Sequence, residues 1–395
     1  MVELKFRPSN IGLALSGGGV RAAAFHAGVL RYLAEAMLLE QVTHVSTVSG
    51  GSLLVGLLYN NAGNNWPSSS GYLQIVFKKI RHILTNSSLE KAALKALLLN
   101  PRNWSHLLSR ANVLADAIRS HWEVHGNLGD LSEKPVWSIN CTTAETGRRF
   151  RFKSATLGDY KLGYAATPNF PLAHAMATSA AYPGIIGPLR IRAKDLTWRA
   201  HERYADGNAK TLSIPFNAIH LYDGGIYDNL GMEPLFDVGK QRIKSGQNGN
   251  PRLDFLLVSD GGSPLANSTI PSALHPGRFK RIAGIALEQA RALRVRSYVN
   301  FLQMQPLAGA YVAITSKPNS YLQRLLERGI PLSNELASEA WLSEAQCEKA
   351  SILPTTLGQL TPALFDLLAT YGYQSTKLNI EICPSLDRER DSNGQ

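Results

Sequence analysis

The feature that most constrains this chain is a short apolar run, Ile11 to Leu15, that stops at three consecutive glycines, Gly17-Gly18-Gly19. A run of that length, bounded by a turn signal, reads as a buried strand. Phe25, Val29, Leu30, Leu33 and Met37 then recur at helical spacing, so a helix is expected over 21–37. Residues 42–48 are rich in β-branched types and read as a second strand. A sharp turn at Ser49-Gly50-Gly51 leads into a helix over 52–59. Strand, glycine loop, helix, strand, turn, helix is the alternation of an α/β fold with a mostly parallel sheet.

The rest of the chain extends this pattern. Residues 71–122 read as helical. Strands are expected over 136–141 and 149–152, around a turn at Glu145-Thr146-Gly147. Residues 171–181 are small and lead to Pro183-Gly184, and the polar stretch 195–210, with Asp206-Gly207-Asn208, reads as a loop or hairpin. Strands over 218–222 and 254–259 each run into Asp-Gly-Gly, at Asp223-Gly224-Gly225 and Asp260-Gly261-Gly262. A long basic helix over 278–302, an amphipathic helix over 360–371 and a frayed polar tail over 387–395 complete the reading. No linker interrupts the middle of the chain, and 395 residues with 44% hydrophobic content suffice for one large core.

The formal net charge is +11, which suits a nucleic-acid binder, a visitor to anionic membranes or a merely basic soluble protein. Cys141, Cys347 and Cys383 are odd in number and widely spaced, so neither a disulfide framework nor a zinc ribbon is indicated and a reducing compartment is expected. Residues 1–10 carry no secretory pattern, and no run of about 18 apolar residues occurs. Cytoplasmic localisation is therefore expected, with any membrane contact peripheral.

Thr47-Val48-Ser49-Gly50-Gly51 nearly fits the nucleophile elbow G-x-S-x-G, a strand-to-helix turn that exposes a serine hydroxyl. An ordinary Gly-Ser turn would look the same. The glycines at 17–19 would let backbone amides face outward at a helix N-terminus, a natural site for negative charge. Gly17-x-Gly19-x-x-Ala22 also satisfies the dinucleotide fingerprint, but Glu40, at the right count for the ribose partner, precedes the second strand. A serine nucleophile needs a base. Of the ten histidines only His275 follows Asp223, in a loop beside Pro276-Gly277. His121 and His125 sit four apart without a third ligand, so no metal site is expected. Asp223 and Asp260 look locally identical as alternatives.

Together these segments resemble the patatin-like phospholipases. In that family a Gly-Gly-Gly-x-Arg/Lys loop forms the oxyanion hole, a serine in the elbow is the nucleophile and an aspartate in Asp-Gly-Gly or Asp-Gly-Ala is the base, with no histidine. Gly17-Gly18-Gly19-Val20-Arg21, Ser49 and Asp223 match in order, and Ala177-Thr178-Ser179-Ala180-Ala181-Tyr182-Pro183-Gly184 is similar to the family's small-residue block. The sequel Ile226-Tyr227-Asp228-Asn229 favours Asp223 over Asp260. Ala22 and Thr47 stand where the family usually has glycine.

The resemblance implies a three-layer α/β/α fold with a mostly parallel sheet. It implies a catalytic domain over residues 10–265, with the helical region 266–395 packed on it. Ser49 and Asp223 would form a catalytic dyad, and Gly17, Gly18, Gly19 and Arg21 the oxyanion hole. The substrates would be acyl lipids: phospholipids, lysophospholipids or neutral glycerides. No metal or organic cofactor and no nucleic-acid partner is implied. Arg278, Lys280, Arg281, Arg291, Arg294 and Arg296 against Glu288 suit contact with anionic membranes, although a solvated helix face reads the same way. A nucleotide-binding protein using the glycine loop, and an inactive interaction protein, are the competing functions.

Overall fold

The computed structural model describes residues 8–99, 110–183, 186–200, 210–244, 252–272, 275, 277–327, 329 and 332–393; side chains at 99, 335 and 383–393 are not described. Gly184, Pro276 and the Asp206-Gly207-Asn208 turn lie outside these residues.

In chain order the strands are β1 (Ile11–Leu15), β2 (Val42–Thr47), β3 (Val136–Thr143), β4 (Arg148–Phe152), β5 (Thr156–Asp159), β6 (Gly163–Ala166), β7 (Leu189–Arg192), β8 (Trp198–Arg199), β9 (Thr211–Leu212), β10 (Ala218–Asp223), β11 (Phe236–Asp237), β12 (Arg242–Ile243), β13 (Phe255–Asp260) and β14 (Gly309–Ala313). Five of them run parallel in the order β14-β13-β1-β2-β3. Beyond β3 the sheet continues antiparallel through β4, β5, β6, β8 and β9. Strand β10 returns antiparallel onto the carboxyl end of β3, with β7 on its other side. The excursion over 195–210 is therefore a hairpin in its described part, since β8 pairs with β9.

Every residue of β1 and β13 is buried, as parallel strands covered on both faces must be. Side-chain alternation divides them between two cores. Ile11, Leu13 and Leu15 face one layer with α1 (Gly19–Glu35) and α2 (Gly50–Asn61). Ala14, Leu256 and Val258 face the other, packed with Tyr298 and Phe301 of helix Gly277–Met304. This is a three-layer α/β/α architecture with a mostly parallel central sheet.

Two elements differ from their sequence pattern. Apolar spacing predicts one buried face for the first helix, yet α1 is buried almost all round. The cause is helix Pro362–Asn393, which lies along its outer side and includes the expected helix over 360–371. It also runs through most of the expected frayed tail, with only 394 and 395 outside the described residues. The two helices cross at glycines. A Cβ on Gly28 would lie 1.8 Å from the Ala369 carbonyl oxygen, and one on Gly372 would lie 1.9 Å from that of Phe25. Neither contact leaves room for a methyl group, and overpacking of this kind costs about 1–3 kcal/mol. Gly372→Ala is accordingly expected to lower Tm by a few degrees in differential scanning calorimetry; an unchanged Tm would mean the backbones do not meet this closely.

Candidate active site

Strand order reverses at β1, whose neighbours β2 and β13 lie on opposite sides, and a crevice at the carboxyl ends of such strands is where open α/β sheets bind ligands. Three turns converge there. After β1, Ser16 donates its amide to the Ser259 carbonyl (3.0 Å) and Gly17 to that of Asn229 (3.0 Å). Gly18 (φ 141°) and Gly19 (φ 62°) then take left-handed conformations. A Cβ on Gly19 would stand 2.2 Å from the Thr356 carbonyl oxygen, so only glycine fits. The amides of Gly18 and Gly19 have no acceptor among the described residues, whereas the Val20 amide donates to Thr356 (3.0 Å). With α1 starting at Gly19, its positive dipole end sits at this loop.

Arg21 is buried and holds the loop by its guanidinium, which donates to the Gly261 carbonyl from Nε (3.2 Å) and Nη2 (3.0 Å) and to the Leu353 carbonyl from Nη1. Burial lowers its pKa to about 10, against the pull of Asp260. The methyl of Ala22, where the family has glycine, occupies the space that Gly261 leaves open: a Cβ on Gly261 would lie 2.7 Å from it.

The second turn follows β2. Ser49 adopts φ 49°, ψ −115°, a strained backbone for a residue with a side chain, typically costing about 1–3 kcal/mol. Its surroundings hold it there. The Ser49 amide donates to Ser179 Oγ (3.0 Å), and Ser179 Oγ donates to the Asn140 carbonyl (2.7 Å). Gly50 packs on the glycine loop, since a Cβ would lie 2.2 Å from the Gly19 carbonyl oxygen. Thr47, the other departure from the family pattern, is fully accommodated: its hydroxyl bonds Ser52 Oγ (2.7 Å) and accepts from Trp137 Nε1 (2.9 Å).

The third turn carries Asp223. Strand β10 sets it opposite Cys141 of β3, with its amide on the Ala181 carbonyl (3.1 Å) and its own carbonyl accepting from Thr142 Oγ1 (2.9 Å). Its carboxylate accepts from the Gly225 amide (2.7 Å), and Ser49 lies near enough to favour its charged form. Burial dominates over the opposing influence of the Gly225 amide and Ser49 and raises the pKa from the ordinary 3.8 to about 7. The structure thus brings Gly18, Gly19, Arg21, Ser49 and Asp223 to the wall of one cavity of about 650 Å³. Gly17 lies beneath, in reach of Ser49 and Asn229. Leu94, Leu97, Val113, Leu114 and Leu287 give the cavity an apolar lining, so the helices expected over 71–122 form part of its wall.

The alternative residues fall elsewhere. Asp260 is committed to Arg291 (Nε 2.9 Å), Tyr311 Oη (2.7 Å) and the Gly262 amide (3.0 Å). His275 is exposed and accepts from the Gly277 amide (3.0 Å), outside the cavity lining. The helix Ala111–His121 ends before His125, so the two histidines do not share a helix face, and no metal-binding cluster occurs among the described residues. Glu40 accepts from the amide and hydroxyl of Ser69 (both 2.6 Å) and is not at a strand end.

Several supporting residues carry no signal that their chemistry alone would give. Asn140 Nδ2 donates to Ser46 Oγ (2.9 Å) and the Thr47 carbonyl (2.9 Å). Asn229 lies against Gly17 and Gly225 together. His26 is buried with its pKa lowered to about 4, and donates from Nε2 to the Ser16 carbonyl (3.0 Å) while Nδ1 accepts from Ser259 Oγ (2.7 Å). Thr47→Val would leave the buried Trp137 Nε1 without its acceptor, at a cost of about 1–3 kcal/mol. Chemical denaturation should register that loss, and a Thr47→Val chain as stable as the wild type would contradict the network.

The family model described as patatin-like phospholipase matches residues 13–236. No curated protein matches the chain. Among solved structures, human GIVD cytosolic phospholipase A2 is similar at TM-score 0.50 and 13% identity, over 96% of this chain and 62% of that one. VipD from Legionella pneumophila is similar at TM-score 0.38 and 15% identity, over 95% of this chain and 67% of that one. The chain thus spans about three-fifths of the human enzyme it matches. With a family match over more than half its length and the glycine loop, elbow and Asp-Gly-Gly turn meeting at one cavity, the chain belongs to the patatin-like phospholipase family.

Proposed function

We propose that the protein is a lipid acyl-ester hydrolase with Ser49 as nucleophile and Asp223 as base. The observation that carries this reading is that the buried Asp223 carboxylate and Ser49 meet at the wall of one apolar cavity. Asp223 takes the Ser49 hydroxyl proton as Oγ attacks the ester carbonyl. The tetrahedral oxyanion is held by the amides of Gly18 and Gly19, each such donor being worth about 2.7–4 kcal/mol in the barrier. Collapse expels the alcohol, which takes the proton from Asp223, and leaves an acyl-enzyme. Water, deprotonated by Asp223, then releases the fatty acid. Arg21 positions the loop through its two carbonyl partners. The apolar wall suits the acyl chain of a phospholipid, lysophospholipid or glyceride. Residues 10–265 form the catalytic unit, and 266–395 complete it: Lys280, Arg291 and Thr356 line the same cavity.

Ser49→Ala and Asp223→Asn should each remain folded and lose at least about a thousandfold in kcat on phospholipid or ester substrates. A folded variant that kept its turnover would overturn the dyad. A base with pKa about 7 works only when deprotonated, so kcat/KM should rise with pH to a midpoint near 7. The same shift bears on stability. A carboxyl whose folded pKa exceeds its unfolded 3.8 contributes stability that is full below 3.8 and lost as pH rises through about 7. The Tm of Asp223→Asn relative to wild type should therefore climb between pH 4 and pH 8; a flat difference would show that Asp223 ionises normally.

A further inference from the structure

Helix Gly277–Met304 touches the cavity with one side, through Lys280, Gly284, Leu287, Glu288 and Arg291. The neighbouring side is open and apolar. Phe279 is 78% exposed, Ile282 51% and Leu293 60%, with the exposed Ile285, Ala283 and Ala286 among them. This is the reverse of an ordinary solvated helix, which turns its charged residues outward. Across the cavity, helix Leu89–Leu99 presents Leu94 and Leu98, 58% and 65% exposed. Leu94 and Leu265 are exposed and also line the cavity, and Leu265 sits in van der Waals reach of Gly284. The two apolar faces therefore flank one opening.

Charge around that opening is one-sided. Arg278, Lys280, Arg281 and Arg296 lie on the first helix, and Lys91 and Lys95 on the second, while Arg294 turns inward to Asp228 (3.5 Å). The two carboxylates of these helices are engaged: Glu288 accepts from Arg291 Nη1 (2.7 Å), and Glu90 from the Leu357 amide (2.7 Å). No helix among the described residues is long and apolar enough to cross a membrane.

We propose that this rim is a docking face for a lipid surface carrying anionic head groups, seating the cavity mouth on that surface. The partner's chemistry follows from the two observations together. Apolar side chains of this size bury into the boundary between head groups and acyl chains, and flanking cations add about 1 kcal/mol each near an anionic surface. Continuity with the cavity makes a lipid surface, rather than a second copy of this chain, the fitting occupant, because it lets an acyl chain pass directly from the surface into the apolar lining. The inference rests on the lipid-hydrolase reading of the cavity, and its test is a binding measurement that needs no turnover.

The full chain carrying Ser49→Ala would be sedimented with vesicles of phosphatidylcholine alone and of phosphatidylcholine with phosphatidylglycerol. Binding is expected on the anionic vesicles and at least about tenfold weaker on the neutral ones. Adding Phe279→Asp and Ile282→Asp should weaken binding to anionic vesicles by at least about tenfold with Tm unchanged, since neither side chain is buried. Equal binding to both vesicle types, or undiminished binding by the doubly charged variant, would overturn the docking face. So would a chain that is dimeric in size-exclusion chromatography with light scattering and becomes monomeric in that variant, which would assign the face to self-association. Vesicle binding by a wild type that hydrolyses nothing would instead sink the hydrolase reading and leave the docking face standing.

Discussion

The structure depends on backbone meeting backbone where the central strands end. Gly50 lies so close to the Gly19 carbonyl, and Gly51 to that of Leu15, that a single added carbon on either would collide. This contact places the N-terminus of α2 against that of α1. It sets Ser49 beside the amides of Gly18 and Gly19, and it brings the turn of Asp223 within reach of both. An arrangement fixed by main-chain contact is rigid, because it contains no rotatable side chain to relax. The strain at Ser49 persists for the same reason, being distributed over Ser179, Asn140 and the glycine contacts.

A second consequence is electrostatic. Asp223 sits where desolvation outweighs its hydrogen bonds, while Asp260, with the same Asp-Gly-Gly sequel, is wrapped by Arg291 and Tyr311. Two identical tripeptides thus take opposite roles. One leaves its carboxylate at the cavity wall with Ser49; the other uses its carboxylate to anchor helix Gly277–Met304 and its glycine to admit Ala22.

Much of this is legible in the sequence where glycine spacing and strand length speak directly. The loop at 17–19, the turn at Ser49 and the strands that precede them follow from local pattern. The antiparallel return of β10 onto β3 does not, because nothing local to 218–223 distinguishes a parallel from an antiparallel partner. Short strands such as β5 and β6 are too brief to show a period, and α1 conceals its second buried side because alanines at 22–24 and 27, all buried, read as neutral in the sequence. The roles of Thr47 and Ser179 are hidden for a related reason. A buried hydroxyl is defined by its partners, and Trp137 and Asn140 lie far away in the chain.

The carbonyl of Thr356 has one more effect. By taking the Val20 amide it removes one donor from the row at the start of α1, beside the turn of Gly18 and Gly19. A pyrophosphate presents many oxygens and draws on a longer run of amides around a helix start. The donor row of the glycine loop is thus trimmed by a residue more than three hundred positions away, so the C-terminal region shapes what that loop can offer a ligand.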